Sequence, residues 1–463
     1  MLHDSNHLAN RASNHSNPSS HAHADILHQG QEHQENRECQ ERQDRQDRIG
    51  RLQTLLRTKG LDGFLLTHNV DLYYLTGSMQ TGYAFIPCEG EPIFFVKRSI
   101  TRAQQEAVIR VEPLGSFRQF ADTLAYHYPD MQQREQCAQP EHLDQPCQSE
   151  ESSQPEQPVI ASEYDVLPVQ QWERLRKVLP HVRWTDGSTL LRELRMVKSP
   201  SEIERIRTAA AAAKLAVEEA VRHIRVGMTE LAFIAHIEHT LRLQGHIGMM
   251  RMRGYNQEII TGMVAAGAAA AEPTYFDGPA GGRGLTPASP QGASCHTIAA
   301  NEPILVDIGC CIDGYVIDQT RTLVIGQLDE DLQRAYDVAS SILRATEAAL
   351  KPGTSCESLY EHALNMAAEA GLSAHFMGYG ADQVKFLGHG IGMEIDEWPV
   401  LARGFTQTLQ PGMVIAVEPK FTFPGRGVVG IEDTYVITDD GCEKLTMAPD
   451  GLYTITSVTD EHD

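Results

Sequence analysis

The first half of the chain alternates short apolar runs with amphipathic stretches, a pattern that predicts a small α/β domain. Arg48–Lys59 has the apolar spacing of a helix, and Gly63–Thr67 and Pro92–Val96 have that of buried strands. A segment rich in Gln, Glu and Pro, 132–157, interrupts this pattern before the strand signal resumes. We therefore expect an N-terminal domain over residues 48–187, with a loop insertion at 132–157.

The second half of the chain combines long helical patterns with antiparallel strand patterns. Ser199 is a natural N-cap, Pro200 fits the first helical position, and Glu202 completes a capping box, so we expect a long helix here. Helix pairs that alternate with hairpins favour an α+β arrangement over residues 199–463 rather than a doubly wound sheet. Apolar spacing predicts three further helices, at Thr229–Gln244, Arg334–Leu350 and Ser355–Ala370.

One predicted hairpin places two carboxylates side by side. An apolar strand pattern runs into Asp313-Gly314, a strong signal for a two-residue hairpin turn. With this turn, Asp307 lies opposite Thr320 on the return strand. Because side chains alternate along a strand, Asp318 falls on the same face, one diagonal position away. The hairpin therefore predicts two carboxylates within reach of one shared ion.

A second predicted hairpin repeats this arrangement near the C-terminus. The strand patterns Met413–Phe421 and Val428–Ile437 flank a loop centred on Gly425, which places Glu418 directly opposite Glu432. Like charges opposed across a ladder repel each other, and burying them without partners is costly. This pair in apolar-flanked strands therefore predicts a cation between the two carboxylates.

A histidine completes the candidate ligand set. His389 lies between glycines, which let the backbone approach a crowded centre closely. Taken singly, an Asp near a turn is more often a capping residue, and a His beside glycines is more often structural. Two hairpins that each place acids on one face nevertheless favour a two-metal site for Mn²⁺, Fe²⁺, Co²⁺ or Zn²⁺. The five candidate metal ligands are Asp307, Asp318, His389, Glu418 and Glu432.

These motifs resemble the creatinase/aminopeptidase P/prolidase group of metallopeptidases, relatives of methionine aminopeptidase. The resemblance extends from about Ser199 to the C-terminus and, more loosely, into the N-terminal half through Tyr73-Tyr-Leu-Thr-Gly77. It implies a pita-bread catalytic domain preceded by a smaller creatinase-like α/β domain. The motifs that carry it are Val306-Asp-Ile-Gly309, Gly314-Tyr-Val-Ile-Asp-Gln-Thr-Arg-Thr322, Gly388-His-Gly-Ile-Gly392, Val417-Glu-Pro419 and Gly430-Ile-Glu-Asp-Thr434.

The resemblance implies a dinuclear hydrolase, an Xaa-Pro aminopeptidase or dipeptidase that cleaves the N-terminal bond of small peptides. Asp307 and Glu432 would each bind or bridge metals with Asp318, and His389 and Glu418 would complete the shell of the second ion. In that mechanism two divalent ions, Mn²⁺ foremost, hold a water as hydroxide, and Glu418 takes its proton.

The chain departs from the family pattern at three positions. The stretch after Gly262–Gly267 contains no His, although peptidases of the family usually have one there. Asp396 stands where a second His is expected, seven residues beyond the metal-binding one, and Gly430 replaces an Arg common two residues before the last Glu ligand. Asp396 is therefore a second candidate catalytic residue, which donates a hydrogen bond only when it is protonated.

Two alternatives stay open at this point. A non-peptide enzyme of the same fold, such as a dimethylsulfoniopropionate lyase, would use Asp396 as the base for proton abstraction. An inactive binding homologue is the other alternative, although such relatives usually lose metal ligands and all five are present here.

One long loop has two interpretations. Tyr275–Pro290 is rich in Gly and Pro and aromatic at one end. It is either a simple connection or a flap that shapes a substrate pocket, since long loops in compact domains are often functional.

Composition narrows the expected partners and location. At 463 residues the chain is long enough for two domains, and its net charge of −23 argues against nucleic acid or anionic membranes as partners. No apolar run is long enough for a transmembrane helix. Nine cysteines without a CxxC pair or a secretory signal favour reduced thiols in a cytoplasm. We expect residues 1–47 to be a disordered tail and the chain to form a homodimer.

Overall fold

The computed structural model describes residues 39–129 and 157–456. Residues 1–38 of the expected tail (1–47) and residues 132–156 of the expected insertion (132–157) lie outside the described residues. Within the described part, no helix is both long enough and apolar enough to cross a membrane. Six cysteines in these ranges are free thiols, namely Cys39, Cys295, Cys310, Cys311, Cys356 and Cys442.

The N-terminal part folds around one mixed sheet of six strands with apolar cores on both faces. The strand order is 4-3-2-1-5-6; the first strand is antiparallel to the second and the second to the third, and the other neighbours are parallel. This confirms the predicted α/β arrangement. Its elements are α1 (39–58), β1 (Gly63–Leu66), α2 (Asn69–Thr76), β2 (Gly82–Pro87), β3 (Ile93–Val96), α3 (Ile100–Glu106), β4 (Arg110–Pro113), α4 (Phe120–His127), β5 (Val159–Ser162), α5 (Val169–Val178), β6 (Arg183–Asp186) and α6 (Ser188–Met196).

The structure corrects the predicted N-terminal boundary. Residues 39–47, which the composition placed in a disordered tail, are helical and belong to α1. The Asp44 carboxylate accepts hydrogen bonds from the Ser199 hydroxyl at 2.7 Å and from the Ser201 hydroxyl. Polar composition suggested a tail because these contacts join residues 155 and 157 positions apart and leave no local signal.

The C-terminal part contains sheets of four, five and two strands. Its elements are α7 (Pro200–His223), α8 (Glu230–Leu243), β7 (Gly262–Ala266), α9 (Gly267–Ala270), β8 (Ile304–Ile312), β9 (Tyr315–Ile325), α10 (Glu330–Ala349), α11 (Cys356–Glu369), β10 (Phe386–Gly390), β11 (Glu397–Ala402), β12 (Val414–Val417), β13 (Lys420–Phe423), β14 (Gly427–Gly430), β15 (Asp433–Ile437), β16 (Cys442–Lys444) and β17 (Tyr453–Ile455). The sheet orders are β17-β9-β8-β7, β11-β10-β12-β15-β16 and β13-β14.

Two helix pairs cover these sheets and supply the two large cores of the C-terminal part. The alanine-rich helix α7 packs with α8 against β8 and β9, and its N-terminus carries the predicted capping box of Ser199 and Glu202. Helices α10 and α11 pack against β10, β12, β13 and β15 through a second core. The alternation of helix pairs with antiparallel hairpins confirms the α+β prediction.

The first hairpin forms as its turn residues predict. Asp313 and Gly314 have φ angles of +49° and +83°, the left-handed conformation that a type I′ turn needs at both central positions. Asp307 pairs with Thr320 across the ladder, as predicted. Asp318 therefore lies two residues from that pair on the return strand and faces the same side.

The second hairpin is interrupted where its chain passes from one sheet to another. The β12–β15 and β13–β14 ladders share one register, which places Glu418 opposite Glu432 at the interruption between them. There the Glu418 amide donates to Leu387 in β10 at 3.0 Å, and the Glu432 amide donates to Thr320 in β9 at 3.1 Å. The break thus ties each glutamate to a strand that carries another candidate ligand.

Candidate metal centre

The candidate site residues meet at one cavity of about 50 Å³. The first hairpin, β10 and the interrupted hairpin each supply ligands, and the loop between β10 and β11 supplies Asp396. Only glycine at position 390 lets β10 and β11 meet beside His389, because a Cβ there would lie 2.3 Å from the Trp398 carbonyl oxygen. The cavity is lined by all six predicted residues, Asp307, Asp318, His389, Asp396, Glu418 and Glu432.

Three of these side chains are close enough to share one ion. Asp318, His389 and Glu432 each offer a ligand atom, and these atoms all lie within 4.8 Å of one another. Glu432 Oε1 is buried and has no hydrogen-bond partner among the described residues. A buried carboxylate oxygen without a partner is costly, and binding a cation removes that cost. Two carboxylates and one imidazole therefore fit a divalent metal ion.

The orientation of His389 also suits a ligand. Its Nδ1 lies 3.1 Å from the Gly390 carbonyl oxygen, and its Nε2 lies 3.6 Å from Glu418 Oε1. When Nδ1 donates to Gly390, the lone pair of Nε2 faces the carboxylates. Burial alone would lower the pKa of His389, but the surrounding carboxylates outweigh burial and raise it.

A lysine that the sequence analysis missed lies among the carboxylates. Lys420 Nζ is 2.6 Å from Glu418 Oε2, 3.0 Å from Glu432 Oε2 and 3.1 Å from Asp307 Oδ2. Its side chain is completely buried. A signal for it did exist, because a lysine in an apolar strand two residues after a candidate ligand is rarely buried without a partner.

The lysine does not balance the negative charge of the centre. Burial, reinforced by the carboxylate of Glu432, raises the pKa of the other three acids. The pKa of Glu432 itself is lowered, because Lys420 and nearby hydrogen bonds outweigh its burial. The excess of carboxylate over ammonium favours a further cation in the cavity. The acids with raised pKa values are Asp307, Asp318 and Glu418, the last to about 7.

Asp396 faces the same cavity from its edge. Its Oδ1 lies 3.6 Å from His389 Nδ1, and its side chain is 45% exposed. The cavity walls desolvate the carboxylate and raise its pKa against the attraction of His389, although water at this half-exposed side chain limits the rise. Asp277, which sequence reasoning missed, lines the cavity as well. It belongs to the Tyr275–Pro290 loop, so part of that loop shapes the pocket.

A second buried cluster of charges holds the loop that carries Asp396. We call it the interdomain network, and its members are Asp71, Asp165, Arg195, Lys198, Arg253, Glu394 and Glu397. Arg195 contacts Asp71 at 2.9 Å, Glu394 at 2.8 Å and Glu397 at 2.5 Å. Arg253 and Lys198 provide the remaining cations. The network therefore fixes the residues on both sides of Asp396 to the N-terminal part of the chain.

Two family models match the chain. Metallopeptidase family M24 matches residues 204–439, and the creatinase/prolidase N-terminal domain matches residues 48–197. These ranges cover both the six-stranded N-terminal sheet and all the candidate ligands.

Curated relatives and solved structures agree with these matches. The Xaa-Pro dipeptidase of Lactobacillus helveticus is 31% identical over 287 residues, which are 62% of this chain and 70% of the relative. The Xaa-Pro dipeptidase of Pyrococcus horikoshii is 26% identical over 388 residues, 83% of this chain and 93% of the relative. The structure of the Xaa-Pro dipeptidase from Bacillus anthracis has a TM-score of 0.71 at 24% identity, and covers 89% of this chain and 100% of that one. The structural likeness shows the same fold.

Proposed function

Since the chain belongs to metallopeptidase family M24, as its motifs predict, we propose that it cleaves the N-terminal bond of small Xaa-Pro peptides. The observation that carries the proposal is the convergence of five ligand-type side chains in one buried centre, with Glu432 Oε1 left without a partner. Relatives described as Xaa-Pro dipeptidases support the substrate class.

The metal-binding role falls to the three residues that share one ligand sphere. Asp318, His389 and Glu432 would hold a divalent ion. Such an ion, when bound, polarises the scissile carbonyl group and lowers the pKa of water. The carboxylates around it exclude anionic ligands, which directs the positive amino terminus of a peptide toward the cavity.

Glu418 is the proposed general base. Its pKa of about 7 lets it accept a proton from the attacking water and return it to the leaving nitrogen near neutral pH. Lys420 holds Glu418 Oε2 at 2.6 Å and so fixes the carboxylate, while Oε1 stays on the side of His389. Asp396, opposite this base, would orient the substrate by hydrogen bonding.

The surrounding loops provide space for a small peptide. A cavity of about 430 Å³ adjoins the centre and shares the wall formed by Phe276–Ala280. Tyr275 and Tyr379 also line it, which provides aromatic surface beside the charged centre. We propose that the peptide's side chains bind in this larger cavity.

The remaining sequence expectations stay predictions. They are Mn²⁺ as the metal, a homodimer, a cytoplasmic location and the domain limits at residues 187 and 199. A metal panel and a sedimentation measurement on the purified protein test the first two.

The deciding experiment is hydrolysis of Xaa-Pro peptides by the metal-reconstituted protein. Xaa-Pro dipeptides and tripeptides are incubated with the Mn²⁺-loaded protein, with a chelator-treated sample and with Glu418→Gln as controls. We expect metal-dependent release of the N-terminal residue, lost in both controls. No hydrolysis of any member of the panel would overturn the proposal.

One observation favours a second candidate, elimination from a non-peptide substrate. Asp396 presents a carboxylate where the family pattern has a histidine, and such a group can act as a base for proton abstraction. Dimethylsulfoniopropionate is therefore included in the same assay. Its cleavage without peptide hydrolysis would favour the lyase.

A further inference from the structure

Lys420 occupies a position that the predicted two-metal site reserves for a cation. Its ammonium has three N–H donors, and three carboxylates lie within 3.1 Å of it. These acids come from β8 and from both sides of the interrupted hairpin. The ammonium is thus fully bonded by oxygens that would otherwise be free to ligate a metal.

The predicted ligands separate into two groups around this lysine. Asp318 and His389 make no ion pair with Lys420 in the described residues, and with Glu432 they form the compact group described above. The Asp307 and Glu418 carboxylates instead point an oxygen at the ammonium. Only Glu432 belongs to both groups, with Oε2 at the lysine and Oε1 unpartnered.

We propose that the Lys420 ammonium replaces the second metal ion, so that this centre binds one divalent ion where the motifs predict two. A second ion ligated by the same oxygens would lie about a hydrogen-bond length from the ammonium, and like charges at that distance in a buried site repel strongly. The inference rests on the metal site of the proposed function.

The neighbouring strand, β14, has a glycine beside this lysine. Gly430 pairs with Lys420 across the β13–β14 ladder. A Cβ at position 430 would lie 2.6 Å from Lys420 Cγ and 2.7 Å from the Pro419 carbonyl oxygen, so a larger residue there requires both the lysine stem and the backbone of β13 to move. Gly430 is also the position at which the family pattern has an arginine. Gly430 therefore leaves space for the stem of Lys420.

Metal stoichiometry tests the inference directly. The wild-type chain, Lys420→Gly and Lys420→Met are stripped with chelator and dialysed to equilibrium against Mn²⁺, and bound ions per chain are measured by elemental analysis. Electron paramagnetic resonance then separates an isolated Mn²⁺ from a spin-coupled pair. We expect one uncoupled ion in the wild type and two coupled ions in Lys420→Gly. Lys420→Met removes the charge but keeps much of the side-chain volume, in case the glycine variant does not fold.

The control is Lys198→Met, which removes another buried lysine paired with a carboxylate, Glu397. It should bind one ion, like the wild type.

Two ions in the wild type would overturn the inference and leave the peptidase proposal standing. One ion in every Lys420 variant would also overturn it, because something other than the ammonium would then exclude the second ion. One ion in a wild type that cleaves no peptide would support the inference while the proposed function fails, and no ion in any protein would overturn both.

Discussion

The two buried charge clusters of this chain contain similar acids, but the pKa values of most of these acids shift in opposite directions. In the interdomain network, His68 and the arginines overcome burial and hold the pKa of Asp71 well below its usual value. Contacts with arginine, and with Lys198 for Glu397, likewise lower the pKa values of Asp165 and Glu397 to about 2. In the metal centre, burial prevails and raises the pKa of Asp318 and Glu418. The difference lies in the neighbours of each acid, since both clusters are largely closed to water.

The count of cations explains the contrast. The network sets two arginines and a lysine against four carboxylates, and a further arginine, Arg192, reaches Asp165 at 2.9 Å. The metal centre sets one lysine against four carboxylates. A buried cluster that is balanced by its own side chains stabilises the fold, whereas one with excess negative charge stores repulsion that a bound cation relieves. The imbalance therefore distinguishes the candidate metal centre from the interdomain network.

The largest effect should come from removing a cation of the network. Arg195→Met leaves the acids around it without their main partner, and breaking a buried ion pair costs about 3–5 kcal/mol. Chemical denaturation followed by circular dichroism measures the free energy of unfolding. Arg192→Met, a partly exposed pair with Asp165, is the control and should cost at most about 1 kcal/mol. Equal losses in the two variants would contradict the structural role of the network.

The network should also make the fold sensitive to acid. The pKa of Glu397 is about 2 in the folded chain, against a usual value of 4.5, because Arg195 and Lys198 outweigh its burial. A depressed pKa contributes stability above the unfolded value, and this contribution is lost as the pH falls from 4.5 toward 2. The shift corresponds to about 3 kcal/mol. Unfolding of the wild type and Glu397→Gln is compared across pH, and a difference that stays constant down to about pH 2 would refute the assignment.

The metal centre should give the opposite result when an acid is neutralised. Asp318→Asn removes one of the crowded carboxylates, so the metal-free protein should keep or gain stability while metal binding and peptidase activity are lost. We expect kcat/KM to fall at least about 100-fold. The matched variant Asp71→Asn should be destabilised but should keep its metal, as elemental analysis and denaturation can show. Metal retained by Asp318→Asn would remove this residue from the ligand set.

The candidate metal ligands could be grouped from the sequence because their signals are local. The Asp313-Gly314 turn sets the register of one hairpin, and the three-residue loop at 424–426 sets that of the other. Each turn signal fixes the strand pairing within its own hairpin, but it does not say which strands of different sheets lie side by side. The apolar strand around Lys420 indicated a buried lysine that needs partners, but it did not identify them, because they come from three separate segments.

The interdomain network could not be read from the sequence for the same reason. Arg195 and Glu397 lie 202 residues apart, and Arg253 and Asp71 lie 182 apart. Residues 39–47 of α1 are likewise held by contacts between distant polar residues, such as that of Asp44 with Ser199, and no apolar pattern in the sequence indicates these contacts. Local patterns therefore predicted elements and hairpins, while contacts between distant charges required the folded chain.

Asp396 lies where the two clusters meet, and it should show the smallest and most discriminating effect. Its neighbours Glu394 and Glu397 belong to the network, while its own carboxylate faces His389 at 3.6 Å. If it orients a peptide by hydrogen bonding, Asp396→Asn keeps a donor and should retain kcat/KM within about tenfold, with metal content and stability unchanged. If it is instead the base of an elimination, the amide cannot accept the proton and turnover should vanish with the metal still bound.

Asp396→His should raise Xaa-Pro cleavage only in the first case, because imidazole donates near neutral pH without needing a raised pKa. Steady-state kinetics of the two variants on both substrate classes decides between them, and a wild type inactive on every Xaa-Pro peptide and unimproved by Asp396→His would exclude the peptidase role.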